Sequence, residues 1–169
     1  MDYKYKKVRI AGCSGAGKTY LAKYLSETYN IKYFDLDDIF WDNSSSYGSK
    51  NSREYRNLLL NNILENNCWI IEGIYYNKWV KKTFEDADII YVIHAPAYIC
   101  IYRIIKRFIK RKLGIEKGKK ESFISLISLL YWVFRYNTHE FPKLLLVLDE
   151  YSEKVIHLQY KNLLNQISI

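Results

Sequence analysis

"GCSGAGKT", Gly12–Thr19, decides how this chain reads. Gly12, Gly17, Lys18 and Thr19 fit the pattern G-x-x-x-x-G-K-[ST]. Glycines let a backbone curl until successive N–H groups converge on one point, which suits the oxygens of a phosphate. A helix that begins where the loop ends adds about half a positive charge there. The flanks supply that context. "KKVRIAG" upstream reads as a short strand. "TYLAKYLSETYN" downstream places Leu21, Tyr24, Leu25 and Thr28 on one helical face. Arg9 is out of place in such a strand, because a central parallel strand is normally apolar throughout.

The loop therefore reads as a cradle for a nucleoside triphosphate, taken to be ATP. Gly12, Ser14, Gly15, Ala16, Gly17, Lys18, Thr19 and Tyr20 would line it. Lys18 would reach the β- and γ-phosphates, and the Thr19 hydroxyl would ligate Mg²⁺. No guanine-selecting NKxD follows; residues 77–79 are Asn-Lys-Trp. A small kinase is the natural reading of a chain this short.

Outward from the loop, strands and helices alternate. "IKYFDLD" is a second strand closing on Asp35 and Asp37, which at spacing i, i+2 point the same way from an extended chain. Asp38 is placed to cap a following helix. "SSSYGSKNS" is a loop and "REYRNLLLNNILENN" a helix. "CWIIEG" is a buried strand ending at Glu72. "NKWVKKTFEDA" is a short helix and "DIIYVIHAP" a fourth strand stopped by Pro96. "AYICIYRIIKRFIKRKLG" is a long helix. On it Arg103, Arg107 and Arg111 share one face, with Tyr98, Ile101, Ile105 and Phe108 packing on the other. A polar basic loop follows, then helices over about 122–135 and 139–152, a fifth strand "KVIHLQ" and a terminal helix "YKNLLNQI". The alternation argues for one α/β domain with a parallel sheet across residues 1–169.

The 169 residues carry a net charge of +8, which suits a polyanionic partner without choosing among nucleotide, nucleic acid and acidic surface. Cys13, Cys68 and Cys100 form no CxxC pair, so neither a zinc site nor a disulfide framework is expected, with Cys68 and Cys100 in apolar surroundings. His94, His139 and His157 are dispersed and read as structural. The longest apolar run, Phe123–Phe134, falls short of the roughly 20 residues needed to cross a bilayer. With no leader-like start, this gives the expectation of a cytoplasmic protein with no membrane partner.

The blocks "AGCSGAGKTYLAKYLSE", "YFDLDDIFW", "WIIEGIY", "DADIIYVIHAP", "CIYRIIKRFIKR" and "YWVFRYN" occur in an order that resembles the adenylate-kinase-like P-loop kinases. Within them the chain is most similar to the small group called DNA topology modulation proteins. The resemblance implies a three-layer fold whose five-stranded parallel sheet has order 2-3-1-4-5, with helices on both faces. It also implies an acceptor-side segment at about 37–66 and a mobile lid at about 108–137. By likeness to shikimate-kinase-like relatives, Asp35 would serve Mg²⁺ and Asp37 would orient or deprotonate the acceptor. Glu72 matches a magnesium-side acid. Arg103 matches an arginine that stacks on adenine, Arg107 one that touches phosphate, and Arg135 one that returns from the lid to phosphate. Tyr136 stands where the group often has a second arginine. "EGIYYNKW" lacks the arginine that grips a nucleoside monophosphate in adenylate kinases; Arg53 and Arg56 are candidate substitutes.

These implications add up to a kinase that moves the γ-phosphoryl group of Mg-ATP to a small acceptor: a nucleotide, nucleoside or hydroxylated metabolite. The alternative is an ATP-binding, nucleic-acid-associated regulator using the basic stretch from Arg103 to Lys120. It is less favoured, because no helix-turn-helix, zinc finger or RNA-binding motif is present and the same cations are needed for ATP. An ATP-binding scaffold without turnover is the third reading.

Overall fold

The computed structural model describes residues 4–42, 49–116 and 122–167. Most of the serine-rich loop (43–48) and of the polar basic loop (117–121), where the lid was expected, thus lies outside the described residues. Five strands form one parallel sheet: β1 (Lys7–Gly12), β2 (Tyr33–Asp35), β3 (Trp69–Glu72), β4 (Ile89–His94) and β5 (Val155–Gln159). Their order is β2-β3-β1-β4-β5, as the sequence implied. Helices α1 (Lys18–Tyr29), α2 (Leu36–Phe40), α3 (Arg53–Leu64), α4 (Lys81–Glu85), α5 (Ala97–Lys112), α6 (Phe123–Arg135) and α7 (Phe141–Asp149) flank it in a three-layer arrangement.

The core lies where the apolar strand residues meet the helices. Val8, Ile10, Ile70, Ile71, Ile90 and Val92 are fully buried, and α1 adds Leu21, Ala22 and Leu25. Strands covered on both faces need continuous apolar sequence, which β3 and β4 have. The register carries the site-forming carboxylates to one edge. Asp35 pairs with Glu72, and Ile10 pairs with Glu72 from the other side, so the ends of β1, β2 and β3 converge.

Several local expectations are corrected. Strand β2 stops at Asp35, and Asp37 lies in the first turn of α2. The reason is capping: the Asp35 carboxylate accepts the Asp37 N–H at 2.8 Å, so Asp35, not Asp38, starts the helix. Thr28 is exposed on α1. Tyr98 and Ile105 are exposed on α5, whose buried residues are Cys100, Ile104 and Phe108. Cys68 is exposed. Residues 77–87 split into a 3₁₀ turn, Lys78–Val80, and α4. Helices α6 and α7 are joined without a break by a π turn, Tyr136–Glu140. The C-terminal segment closes in a 3₁₀ turn, Leu163–Gln166, in place of a helix.

Candidate functional site

The loop between β1 and α1 has the backbone that its glycines predict. Gly15 sits at φ +80°, and a Cβ there would come within 2.7 Å of the Cys100 carbonyl oxygen. Gly17, at φ +114°, is the N-cap of α1. Both positions are left-handed, which a side chain would strain. The loop is thus pressed against the first turns of α5. Arg103 completes that contact, donating from one guanidinium nitrogen to Gly15 O at 3.2 Å and Ala16 O at 2.9 Å, with its plane over Tyr160. In this arrangement Arg103 braces the loop itself.

Lys18, Thr19 and Glu72 meet at the mouth of the loop. The Lys18 ammonium donates to Cys13 O at 3.1 Å and lies 3.9 Å from Glu72 Oε2. The Thr19 hydroxyl donates to Glu72 Oε1. Glu72 is only 2% exposed, so these two partners stand in for the water it has lost. Next to it, the Asp35 carboxyl is pushed up to about 7, first by burial and then by the neighbouring Glu72 and Asp37.

These groups fit Mg-ATP. Glycines hold the loop where a Cβ has no room, Lys18 offers a cation, and Thr19, Glu72 and Asp35 offer hard oxygen donors. Among the described residues no three His, Cys, Asp or Glu side chains form a metal-binding group.

Beyond the mouth of the loop, Asp37 is held by a residue far away in sequence. The Tyr75 hydroxyl donates to Asp37 Oδ1 at 2.8 Å. Burial and then Asp37 raise the Tyr75 phenol above its ordinary range, so it stays a donor. Tyr75 stacks on Phe40 (4.8 Å) and meets Trp79 edge-on (5.3 Å). Arg56 lies over Phe40 at 4.7 Å and over Trp79 at 5.5 Å. It therefore closes an aromatic cluster; Arg53 is exposed.

Arg9, the misfit of β1, explains how Tyr75 is placed. It is 0% exposed, and its guanidinium donates to Ile10 O (2.6 Å), Ile71 O (3.3 Å), Gly73 O (3.1 Å) and Tyr75 O (2.9 Å). Burial lowers its pKa to about 10, with Glu72 opposing the shift, so it remains a cation at neutral pH. The turn after β3 is thus fastened to the sheet by one buried side chain. A lone charge in a buried strand was the sequence signal for it. Tyr75 closes the "WIIEGIY" block of the resemblance, which gives it no role of its own.

The remaining arginines are dispersed. Arg107 is half-buried on α5, and Arg111 pairs with Glu116 at 3.8 Å. Arg135 pairs with Glu140 at 3.4 Å. Glu140 also accepts from the Tyr76 hydroxyl, and that bond first, then its cations, lowers its pKa. A cavity of about 270 Å³ opens beside this group, on the outer side of the π turn and apart from the glycine loop's contacts. Tyr136 is buried core, ring to ring with Phe141 at 6.0 Å, which accounts for a tyrosine in place of an arginine. Its neighbour Asn137 reaches the loop, at 3.8 Å from Cys13 Sγ. Cys13 itself is buried, and its thiol pKa is raised by a hydrogen bond with Cys100 and by burial. His94 and His157 are not dispersed: β4–β5 pairing brings their rings to 2.7 Å, Nε2 to Nδ1.

A search of solved structures found a gluconokinase from Sinorhizobium meliloti 1021, with TM-score 0.55 and 11% identity over 95% of this chain and 86% of that one. At that identity the likeness concerns the fold. None of the curated proteins compared matches the chain. A family model described as "AAA domain" matches residues 8–123, from β1 through the glycine loop to the start of α6. With the Gly12–Thr19 loop, buried Glu72 and the 2-3-1-4-5 sheet inside or around that span, the chain belongs to this AAA-domain family and is a P-loop, ATP-binding protein.

Proposed function

We propose that the protein is an ATP-dependent phosphotransferase that moves the γ-phosphoryl group to a small acceptor: a nucleotide, nucleoside or hydroxylated metabolite. The observation that carries this reading is Asp37. A carboxylate oriented by Tyr75 stands two residues from Asp35, which pairs in register with Glu72 at the mouth of the phosphate loop. A site that only bound ATP would have no need of an oriented acid on its far side.

In this reading Gly12, Ser14, Gly15, Ala16, Gly17, Thr19 and Tyr20 hold the donor, and Arg103 both braces the loop and lies on the adenine side. Lys18 leaves Glu72 for the β- and γ-phosphates. Thr19, Glu72 and Asp35 would hold Mg²⁺, which neutralises phosphate charge when bound. Asp37 accepts a hydrogen bond, and then the proton, from the attacking hydroxyl. Arg107 and Arg135 offset charge on the migrating group; Arg135 must leave Glu140 to do so. Closure of the segment around 108–137 would exclude water, which otherwise competes as acceptor. The order of the motifs supports placing the chain with the adenylate-kinase-like kinases, near the topology modulation group. The missing arginine after Glu72 supports an acceptor recognised by the aromatic cluster and Asp37.

The test is a screen of nucleoside monophosphates, nucleosides and sugar-like alcohols with Mg-ATP, read as ADP release. At least one acceptor should raise ADP release above the solvent rate, and Asp37→Asn should abolish that increment. A flat response across all three classes would sink the proposal.

A further inference from the structure

The outward faces of α5 and α6 are unlike the rest of the surface. On α5 and its cap, Tyr98, Tyr102, Ile105, Ile109 and Leu113 follow one another at intervals of three or four residues and so share a face. All are exposed, Leu113 to 68%. On α6 the same spacing joins Phe123, Ile127, Tyr131 and Phe134, with Ile124 beside them. Ile127 is 68% exposed and Ile124 79%. The two helices pack together, Phe108 meeting Phe123 at 5.1 Å. Contiguous apolar surface of this kind marks an interaction site.

Charge says what kind. Helices α5 and α6 contain no Asp or Glu. At 100° per residue, Lys106 and Lys110 flank the α5 stripe on one side and Lys112 on the other. The Lys106 ammonium lies 5.8 Å from the Tyr102 ring centre, and Lys112 reaches Phe108 and Phe123 at 5.6 and 5.7 Å. Apolar stripe, tyrosines and flanking lysines are the parts of a helix pair that lies in a lipid interface. In a contact of α5 with the α5 of a second copy these lysines would meet like charges, since neither helix carries a carboxylate. A nucleic acid would meet the lysines but leave the stripe in water.

We propose that the α5–α6 face docks on an anionic lipid surface. No described helix is long and apolar enough to cross a membrane, so the contact is lateral. Arg103 contacts the phosphate loop from another face of α5, so the docking stripe does not include that contact. The inference does not depend on the identity of any phosphoryl acceptor.

The full chain is sedimented with vesicles of phosphatidylglycerol and phosphatidylcholine, or phosphatidylcholine alone, at low and high salt. Binding should require phosphatidylglycerol and weaken with salt. Both Lys106→Glu/Lys110→Glu and Ile109→Glu/Ile127→Glu should lower partitioning by about tenfold or more. All four positions are exposed, so thermal melting should hold; Ile109→Ser/Ile127→Ser replaces any variant that melts early. Failure to pellet with phosphatidylglycerol would overturn the proposal. So would full binding by the isoleucine variants, which would mean attraction by net charge alone. A dimer in sedimentation equilibrium that Ile127→Glu dissociates would assign the face to a second copy instead.

Discussion

The two sides of the candidate site are built in opposite ways. The donor side is local: eight consecutive residues, three of them glycines, make a loop whose geometry follows from backbone freedom and one helix N-terminus. The proposed acceptor side is assembled across the chain. Asp37 depends on Tyr75, the turn bearing Tyr75 depends on Arg9, and Phe40 is covered by Arg56. Donor binding should therefore be damaged mainly by changes within the loop. Acceptor handling should be damaged by changes far from it in sequence.

The largest effect is expected from Lys18→Ala. It removes the loop's only cationic side chain and should lower phosphoryl transfer about 10²–10³-fold, measured as ADP release with an acceptor found by the screen. Unchanged turnover would break the donor half of the comparison. Next comes Arg9→Met. It leaves the Gly73 and Tyr75 carbonyls without their guanidinium and should cost about 3 kcal/mol in urea unfolding. If the fold survives, nucleotide affinity should change less than acceptor KM. Equal losses would show that the two sides are not separable.

Tyr75→Phe is smaller and more selective. Loss of the hydrogen bond to the Asp37 carboxylate, about 1.5 kcal/mol, should raise acceptor KM roughly tenfold and leave ATP affinity alone. A fall in ATP affinity would place Tyr75 on the donor side. The smallest effect is a control on both. Burial and His157 lower the His94 pKa below its ordinary value. The unfolded chain therefore binds a proton more readily, and stability is present above about pH 6.5 and lost as pH falls through the range below it. His157→Gln should flatten that loss in melting curves without altering nucleotide affinity at neutral pH.

The same contrast governs how far the residues could be read in order. The strand–helix alternation and the loop were legible because apolar periodicity and glycine patterns are short-range signals; the sheet order was implied only by the resemblance to the adenylate-kinase-like kinases. The break between Asp35 and Asp37 was not. Both strand and helix suit "DLDD", and the Asp35 cap decides between them. The outward Tyr98–Ile105 face was assigned to the core because amphipathic spacing says which residues lie together, not which side is covered.

By itself, the sequence determined a β–loop–α phosphate cradle within a parallel α/β sheet, since backbone conformation and period-dependent burial act within a few residues. Only the tertiary structure decided that Glu72 joins Lys18 and Thr19, that Arg9 fastens the turn carrying Tyr75, and that Tyr75 orients Asp37. Those contacts span from 38 positions of chain (Asp37 to Tyr75) to 66 (Arg9 to Tyr75), and only strand register and burial bring such distant groups to hydrogen-bonding distance.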